Sequence, residues 1–157
     1  MQFGFSYDKK RVIQGLRYHF ISKQEIKWMM IVVNVFAVIS AVLFYTQKIR
    51  PQPFLLGSLI WILMMSGVWY ILPYSIYKKT TTFKDKFVIY FTEDFIRLEN
   101  EKGIAEWHWR DFSKYFESPH FFHLYVDEKT FFLVPKENMG DALIHELREL
   151  LQKKFRK

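Results

Sequence analysis

Two stretches of bilayer length carry no formal charge, and they leave this chain few ways to fold. Trp28 to Tyr45 reads WMMIVVNVFAVISAVLFY, eighteen residues interrupted only by Asn34 and Ser40. As a helix rising about 1.5 Å per residue it would be roughly 27 Å long, close to the thickness of a hydrocarbon core. Phe54 to Leu72, FLLGSLIWILMMSGVWYIL, adds nineteen uncharged residues, with Pro73 just beyond. Buried helices of a soluble domain normally keep a charged face, and neither stretch has one. A secretory signal fits poorly, because the first run starts only at residue 28 and no small-residue cleavage site precedes Thr46. The expectation is therefore a membrane α-helical hairpin: transmembrane helix 1 over residues 28–45, an external loop over 46–53 and transmembrane helix 2 over 54–74.

A loop as short as TQKIRPQP makes the helices antiparallel and puts both termini on one side. The positive-inside rule chooses the side. Six Lys or Arg precede Trp28, two lie in the loop (Lys48, Arg50), and Lys78, Lys79, Lys84 and Lys86 follow the second span. Both termini are expected to be cytoplasmic, in a multi-pass protein of the cytoplasmic membrane. The aromatic residues Trp28, Tyr45, Trp69, Tyr70, Tyr74 and Tyr77 fall near the span ends, where amphipathic rings favour the headgroup level.

The net charge of +7 invites a nucleic-acid reading, so its distribution matters. The segment before Trp28 contributes +4 and the loop +2, leaving +1 for everything from Lys78 onward. Between Phe87 and Gln152 the balance is −6, a poor platform for nucleic acid. No nucleic-acid partner is expected. A mean hydropathy of −0.06 averages a very apolar middle with polar flanks and describes neither. The absence of cysteine excludes disulfides, thiolate metal sites and cysteine nucleophiles.

Within the spans, Asn34 is the one strongly polar side chain of the first, and Ala37 and Ala41 share its face. Gly57, Ser58, Ser66 and Gly67 give the second helix a comparable small surface. These seven residues are the candidate helix–helix interface, within the hairpin or between two copies. A transport or channel subunit is a further alternative, but no ionisable residue lies inside either span.

Residues 1–27 read as a cytoplasmic strand-like start (Gln2 to Tyr7) and a basic amphipathic helix, capped by Ser6 or Asp8, with Val12, Ile13, Leu16 and Phe20 on one face. Beside a span, such a helix is expected in the membrane interface. The alternative is an ordinary helix packed on the cytoplasmic domain.

From Lys78 to Lys157 the pattern changes to short alternating or aromatic runs, as a sheet predicts. Candidate strands are Thr81 to Lys84, Phe87 to Phe91, Phe95 to Asn100, Ile104 to Arg110, Lys114 to Ser118, Phe121 to Val126 and Thr130 to Val134. Glu101-Lys102-Gly103, Ser118-Pro119-His120 and Asp127-Glu128-Lys129 read as hairpin connections. Pro135 stops the last strand, Asn138 or Gly140 opens a helix from about Asp141 to Phe155, and Leu143, Ile144, Leu147, Leu150 and Leu151 form its apolar stripe. This α+β arrangement is a pleckstrin-homology-like (PH-like) antiparallel β-meander or barrel closed by a C-terminal helix.

The segments WHWRDFSKYF (Trp107 to Phe116), FFHLYV (from Phe121) and FFLVPKENM (from Phe131), in this order after a two-helix hairpin, resemble the bacterial YcxB-like membrane proteins. The resemblance implies a PH-like C-terminal domain and a membrane address, and it brings no catalytic residues.

The search for chemistry is brief. His120 and His123 fall on opposite faces of a strand, Glu93-Asp94 and Asp127-Glu128 lie at turns, and no phosphate loop or nucleophile elbow occurs. No cofactor, metal or enzymatic activity is expected. Trp107, Trp109 and Tyr115 are the candidate interaction surface, although most of the aromatic residues should build the core. The favoured function is a membrane-tethered module that binds a protein partner or a second copy of itself. The alternative is an anionic lipid headgroup bound at Lys78, Lys79, Lys84 and Lys86, although any cytoplasmic flank should be basic there.

Overall fold

The computed structural model describes residues 1–137 and 139–156. It divides into two units, Met1–Gly15 with Thr80–Lys157, and Leu16–Lys79.

In the second unit, α2 (Gln24–Tyr45) and α3 (Pro51–Ser66) are joined by a short turn in which Gln47 takes φ 57°. Two prolines in the first turn of α3 suit positions where an N–H would have no helical partner. A π-helical turn, Gly67–Ile71, interrupts the second helix before α4 (Leu72–Lys79) carries it on. Pro73 explains the break: it has no N–H for the carbonyl four residues back, and its ring crowds that turn. The two helices, Gln24–Tyr45 and Pro51–Lys79, are long and apolar enough to cross a membrane. No residue of α2 or α3 is buried.

The other unit contains two antiparallel sheets. The first has the order β1-β2-β3-β4, from β1 (Gln2–Ser6), β2 (Lys86–Phe91), β3 (Phe95–Asn100) and β4 (Gly103–His108). The second has the order β5-β6-β7, from β5 (Lys114–Glu117), β6 (Phe121–Tyr125) and β7 (Phe131–Pro135). Helix α5 (Asp141–Phe155) completes the unit. Facing side chains of both sheets and of α5 make one core, in which Phe122, Leu147 and Leu151 are fully buried among Phe5, Phe87, Ile96 and Leu124. Asn100 Oδ1 accepts from the Lys102 and Gly103 N–H groups, and Gly103 takes φ 153°, closing the β3–β4 hairpin. Asp127 Oδ1 does the same for Lys129 and Thr130 between β6 and β7.

The structure corrects four expectations. Thr81 to Lys84 is a 3₁₀ turn, because the place beside β2 is taken by the N-terminal strand, with Ser6 opposite Lys86 and Gln2 opposite Tyr90. The strand from Ile104 ends at His108, where Asp111 accepts the His108 N–H at 2.9 Å and turns Trp109–Asp111 into 3₁₀ helix. That turn separates the sheets, so among the described residues no strand pairing closes a barrel. The early part of α1 (Lys9–Ser22) packs its apolar face on the sheet unit, the alternative placement, in place of leaving that face for the membrane interface: Val12 is 0% exposed, and a Cβ on Gly15 would lie 2.9 Å from the Phe121 ring. Tyr7 donates to the Leu133 carbonyl at 2.7 Å and Arg11 pairs with Glu137 at 2.9 Å, fixing this segment to the outer face of the second sheet. Of the two residues expected to open α5, Gly140 is its N-cap, and Asn138 lies outside the described residues.

Candidate functional site

Strand β6 is buried along its whole length, whereas β5 and the end of α5 leave aromatic side chains half-exposed. The amphipathic stripe of α5 accounts for the difference. Leu147 and Leu151 point into the core, and one turn on, Phe155 reaches the rim at the helix end. Its ring stands edge-on to Trp109 with centroids 6.3 Å apart, and lies 5.3 Å from the Tyr115 ring. Trp109 is held from behind, its indole N–H donating to the Thr92 carbonyl at 2.9 Å and its face stacked on Phe91. Trp107 lies against Phe132, with centroids 4.5 Å apart.

Two hollows flank this aromatic ridge. One, about 790 Å³, is lined by Tyr115, Phe155, Glu149, Gln152, Lys153 and Arg156. The other, about 620 Å³, is lined by Trp109, Phe95, His108, Arg110, Glu93 and Lys154 among others. Glu93 joins the rims: Lys154 Nζ reaches its carboxylate at 3.1 Å and Lys153 at 3.7 Å, and the Lys154 hydrogen bond holds its pKa below the usual carboxylate range. The site is thus a row of rings bordered by charges of both signs.

Helix α5 is itself fixed by a polar clamp. Arg148 donates through Nε and Nη2 to the two oxygens of Glu117, at 2.9 and 2.7 Å, and Lys136 donates to the same carboxylate at 2.6 Å. The Arg148 hydrogen bonds lead in lowering the Glu117 pKa from 4.5 to about 2. Lys136 also bonds the Ser118 carbonyl at 2.8 Å and lies over the Phe122 ring. Thus Phe155, some forty residues on in sequence, joins Trp109 and Tyr115 at one place, while Trp107 lies against Phe132.

The remaining candidates lie elsewhere. Lys78 and Lys79 end α4, Lys84 ends the 3₁₀ turn and Lys86 opens β2. All four are exposed, and among the described residues none pairs with a carboxylate. Asn34 accepts from the Trp61 indole at 3.3 Å and donates to the Met30 carbonyl at 2.7 Å, so both its polar atoms are engaged within the hairpin. Ala37, Ala41, Gly57 and Ser58 line a groove of about 470 Å³ between the helices. Ser66 precedes the π-turn and Gly67 opens it, and nothing lies within 4 Å of a Cβ built on Gly57 or Gly67. His123 is inside the second sheet, with Nε2 2.9 Å from Ser118 Oγ.

Residues 91–151 match the family model of the YcxB-like proteins. The matched segment runs from the end of β2 to Leu151 in α5, so it takes in Trp109, Tyr115 and the Glu117 clamp but stops short of Phe155. No curated protein and no solved structure matches the chain. The matched segment holds β3 to β7 and most of α5, whereas β1, nearly all of β2 and the apolar helices lie outside it. The sequence marks Glu93 only as one of two adjacent turn carboxylates and gives Phe155 no place in a site. Phe155 was legible only as the last apolar position of the helix, and nothing local signals an ion pair between residues 61 apart.

Proposed function

We propose that this chain is a two-span protein of the bacterial cytoplasmic membrane, with both termini cytoplasmic, that presents a PH-like YcxB-type domain as a protein-interaction module. Its partner is a second copy or another protein, and it docks on the ridge of Trp109, Phe155 and Tyr115. The observation that carries this reading is the ridge itself: half-exposed rings, Trp109 held from behind by the Thr92 carbonyl, between hollows rimmed by Glu149, Lys153, Arg156 and Glu93. Rigid aromatic anchors lose little conformational freedom on binding, and a mixed rim selects a protein surface over a uniformly charged ligand. The two apolar helices support the membrane address, and the Lys and Arg excess on the terminal side supports the orientation.

The native lack of cysteine permits a direct test. A single cysteine at Gln152 in the full chain, labelled with a maleimide–benzophenone photocrosslinker and irradiated in intact membranes, should give a discrete adduct that disappears with Tyr115→Ala. No adduct, or one indifferent to Tyr115, removes the proposal. Lys84 and Lys86, exposed and without acidic partners among the described residues, favour a second reading, an anionic headgroup held by the domain. In that case Lys84→Gln with Lys86→Gln should abolish salt-sensitive adhesion to anionic vesicles, and Tyr115→Ala should not.

A further inference from the structure

The second apolar helix contains a cation site of its own making. Pro73 cannot donate to the Trp69 carbonyl four residues before it, and the π-turn Gly67–Ile71 opens the ladder there. Arg17 Nε fills the gap, donating to that carbonyl at 2.8 Å. Its guanidinium carbon lies 5.5 Å from the Trp69 ring centroid and 5.3 Å from that of Tyr70. One of five guanidinium N–H donors is thereby used, the group is aimed and shielded by two rings, and among the described residues no carboxylate pairs with it. Trp69 and Tyr70 are themselves 40% and 61% exposed, and Arg17 is partly exposed beside them.

Depth decides which anion can reach it. From Phe54, where the uncharged run begins, Trp69 is about 22 Å along the helix at 1.5 Å per residue, near the far edge of a hydrocarbon core of about 30 Å. An unpaired cation at that edge reaches the headgroup layer, where the available anions are lipid phosphates. We propose that Arg17, seated on the Trp69 carbonyl between the rings of Trp69 and Tyr70, binds the phosphate of a membrane phospholipid. This rests on the membrane reading above, but the residues differ from Lys84 and Lys86 of the sheet unit. The fork geometry of arginine suits two phosphate oxygens at once, which lysine cannot engage in the same way.

The test uses the full chain in mild detergent, titrated with short-chain phosphatidylglycerol, with retained lipid counted by native mass spectrometry. Arg17→Gln should weaken retention about tenfold, the loss expected for one charge-assisted contact. Lys84→Gln with Lys86→Gln should leave it unchanged. Unaltered retention in Arg17→Gln overturns the proposal. If Arg17→Gln misfolds, Arg17→Lys decides: an ammonium cannot hold the carbonyl and grip two phosphate oxygens, so retention should fall at least about threefold, and equal retention overturns the site. Displacement of the lipid by millimolar inorganic phosphate would show a free-phosphate site and overturn the lipid assignment. Alkaline carbonate extraction of wild-type membranes separates the two failures. Extraction of the chain would overturn the membrane reading and this site together, whereas retention in the pellet beside unchanged Arg17→Gln binding would overturn the site alone.

Discussion

Phe36, in the middle of α2, is 67% exposed, whereas Phe122, in the middle of β6, is 0% exposed. The same side chain meets opposite fates because the two backbones have different needs. A helix satisfies its own N–H and C=O groups, so α2 and α3 can stand with apolar side chains outward wherever the surroundings are apolar. A strand must find neighbours, and the pairing that supplies them brings faces together, leaving Phe122, Leu124 and Val134 stacked against α5. Apolar content alone is therefore no guide to burial here, since α5 buries Leu147 and Leu151 whereas α2 and α3 bury nothing.

The largest test of this contrast is truncation at those two phenylalanines. Phe122→Ala should cost about 3–5 kcal/mol, and Phe36→Ala should stay within about 0.5 kcal/mol. Denaturant unfolding of the full chain in detergent, followed by near-ultraviolet dichroism, measures both, and comparable losses would end the comparison. A smaller effect sets two glycines against each other. At Gly15 a Cβ meets the buried Phe121 ring, so Gly15→Val should cost about 1–3 kcal/mol. Gly57 has open space, so Gly57→Ala should change stability by less than about 1 kcal/mol, in the stabilising direction.

The Glu117 clamp sharpens the comparison further, since it ties only the sheet unit to pH. Its pKa is lowered on folding, from 4.5 to about 2, so the ionised form is favoured in the folded state. The stabilisation is complete above about pH 4.5 and is lost as pH falls toward 2. Glu117→Gln should cost about 1–2 kcal/mol at neutral pH, with the exposed part of the carboxylate screened by water, and should flatten the acid limb of the stability profile. A profile that keeps its slope would mean another carboxylate is responsible. The smallest effect is at Lys86, exposed at the start of β2, where Lys86→Gln should shift stability by no more than about 0.5 kcal/mol. A larger loss by thermal melting would give that lysine a structural role that its exposure does not suggest.

Much of the architecture was legible because it is local. Strand Phe95–Asn100 and helix Asp141–Phe155 have the expected boundaries, since a period-2 run between turn residues and a leucine stripe ending in cations each declare themselves within one segment. The failures came where distance in sequence decides. Thr81 to Lys84 has the composition of a strand but lost its place to Gln2–Ser6, which arrives from the other end of the chain. Trp109 alternates correctly with Trp107, yet the Asp111 bond to His108 turns the backbone before it. Of the candidate site, Trp109 and Tyr115 were named from the sequence, but Phe155, which joins them, was not.

By itself the sequence determined the two uncharged helices, the hairpin between them, the pattern of strands and the final amphipathic helix. Each follows from the chemistry of adjacent residues and from periods of 2 and 3.6. The tertiary structure decided which strand lies beside β2, that two sheets form instead of a closed barrel, that Glu117 receives Lys136 and Arg148, and that Arg17 takes the carbonyl left by Pro73. Those outcomes depend on which distant groups meet, and unsatisfied carbonyls, carboxylates and strand edges take partners by geometry, with no mark in the local pattern.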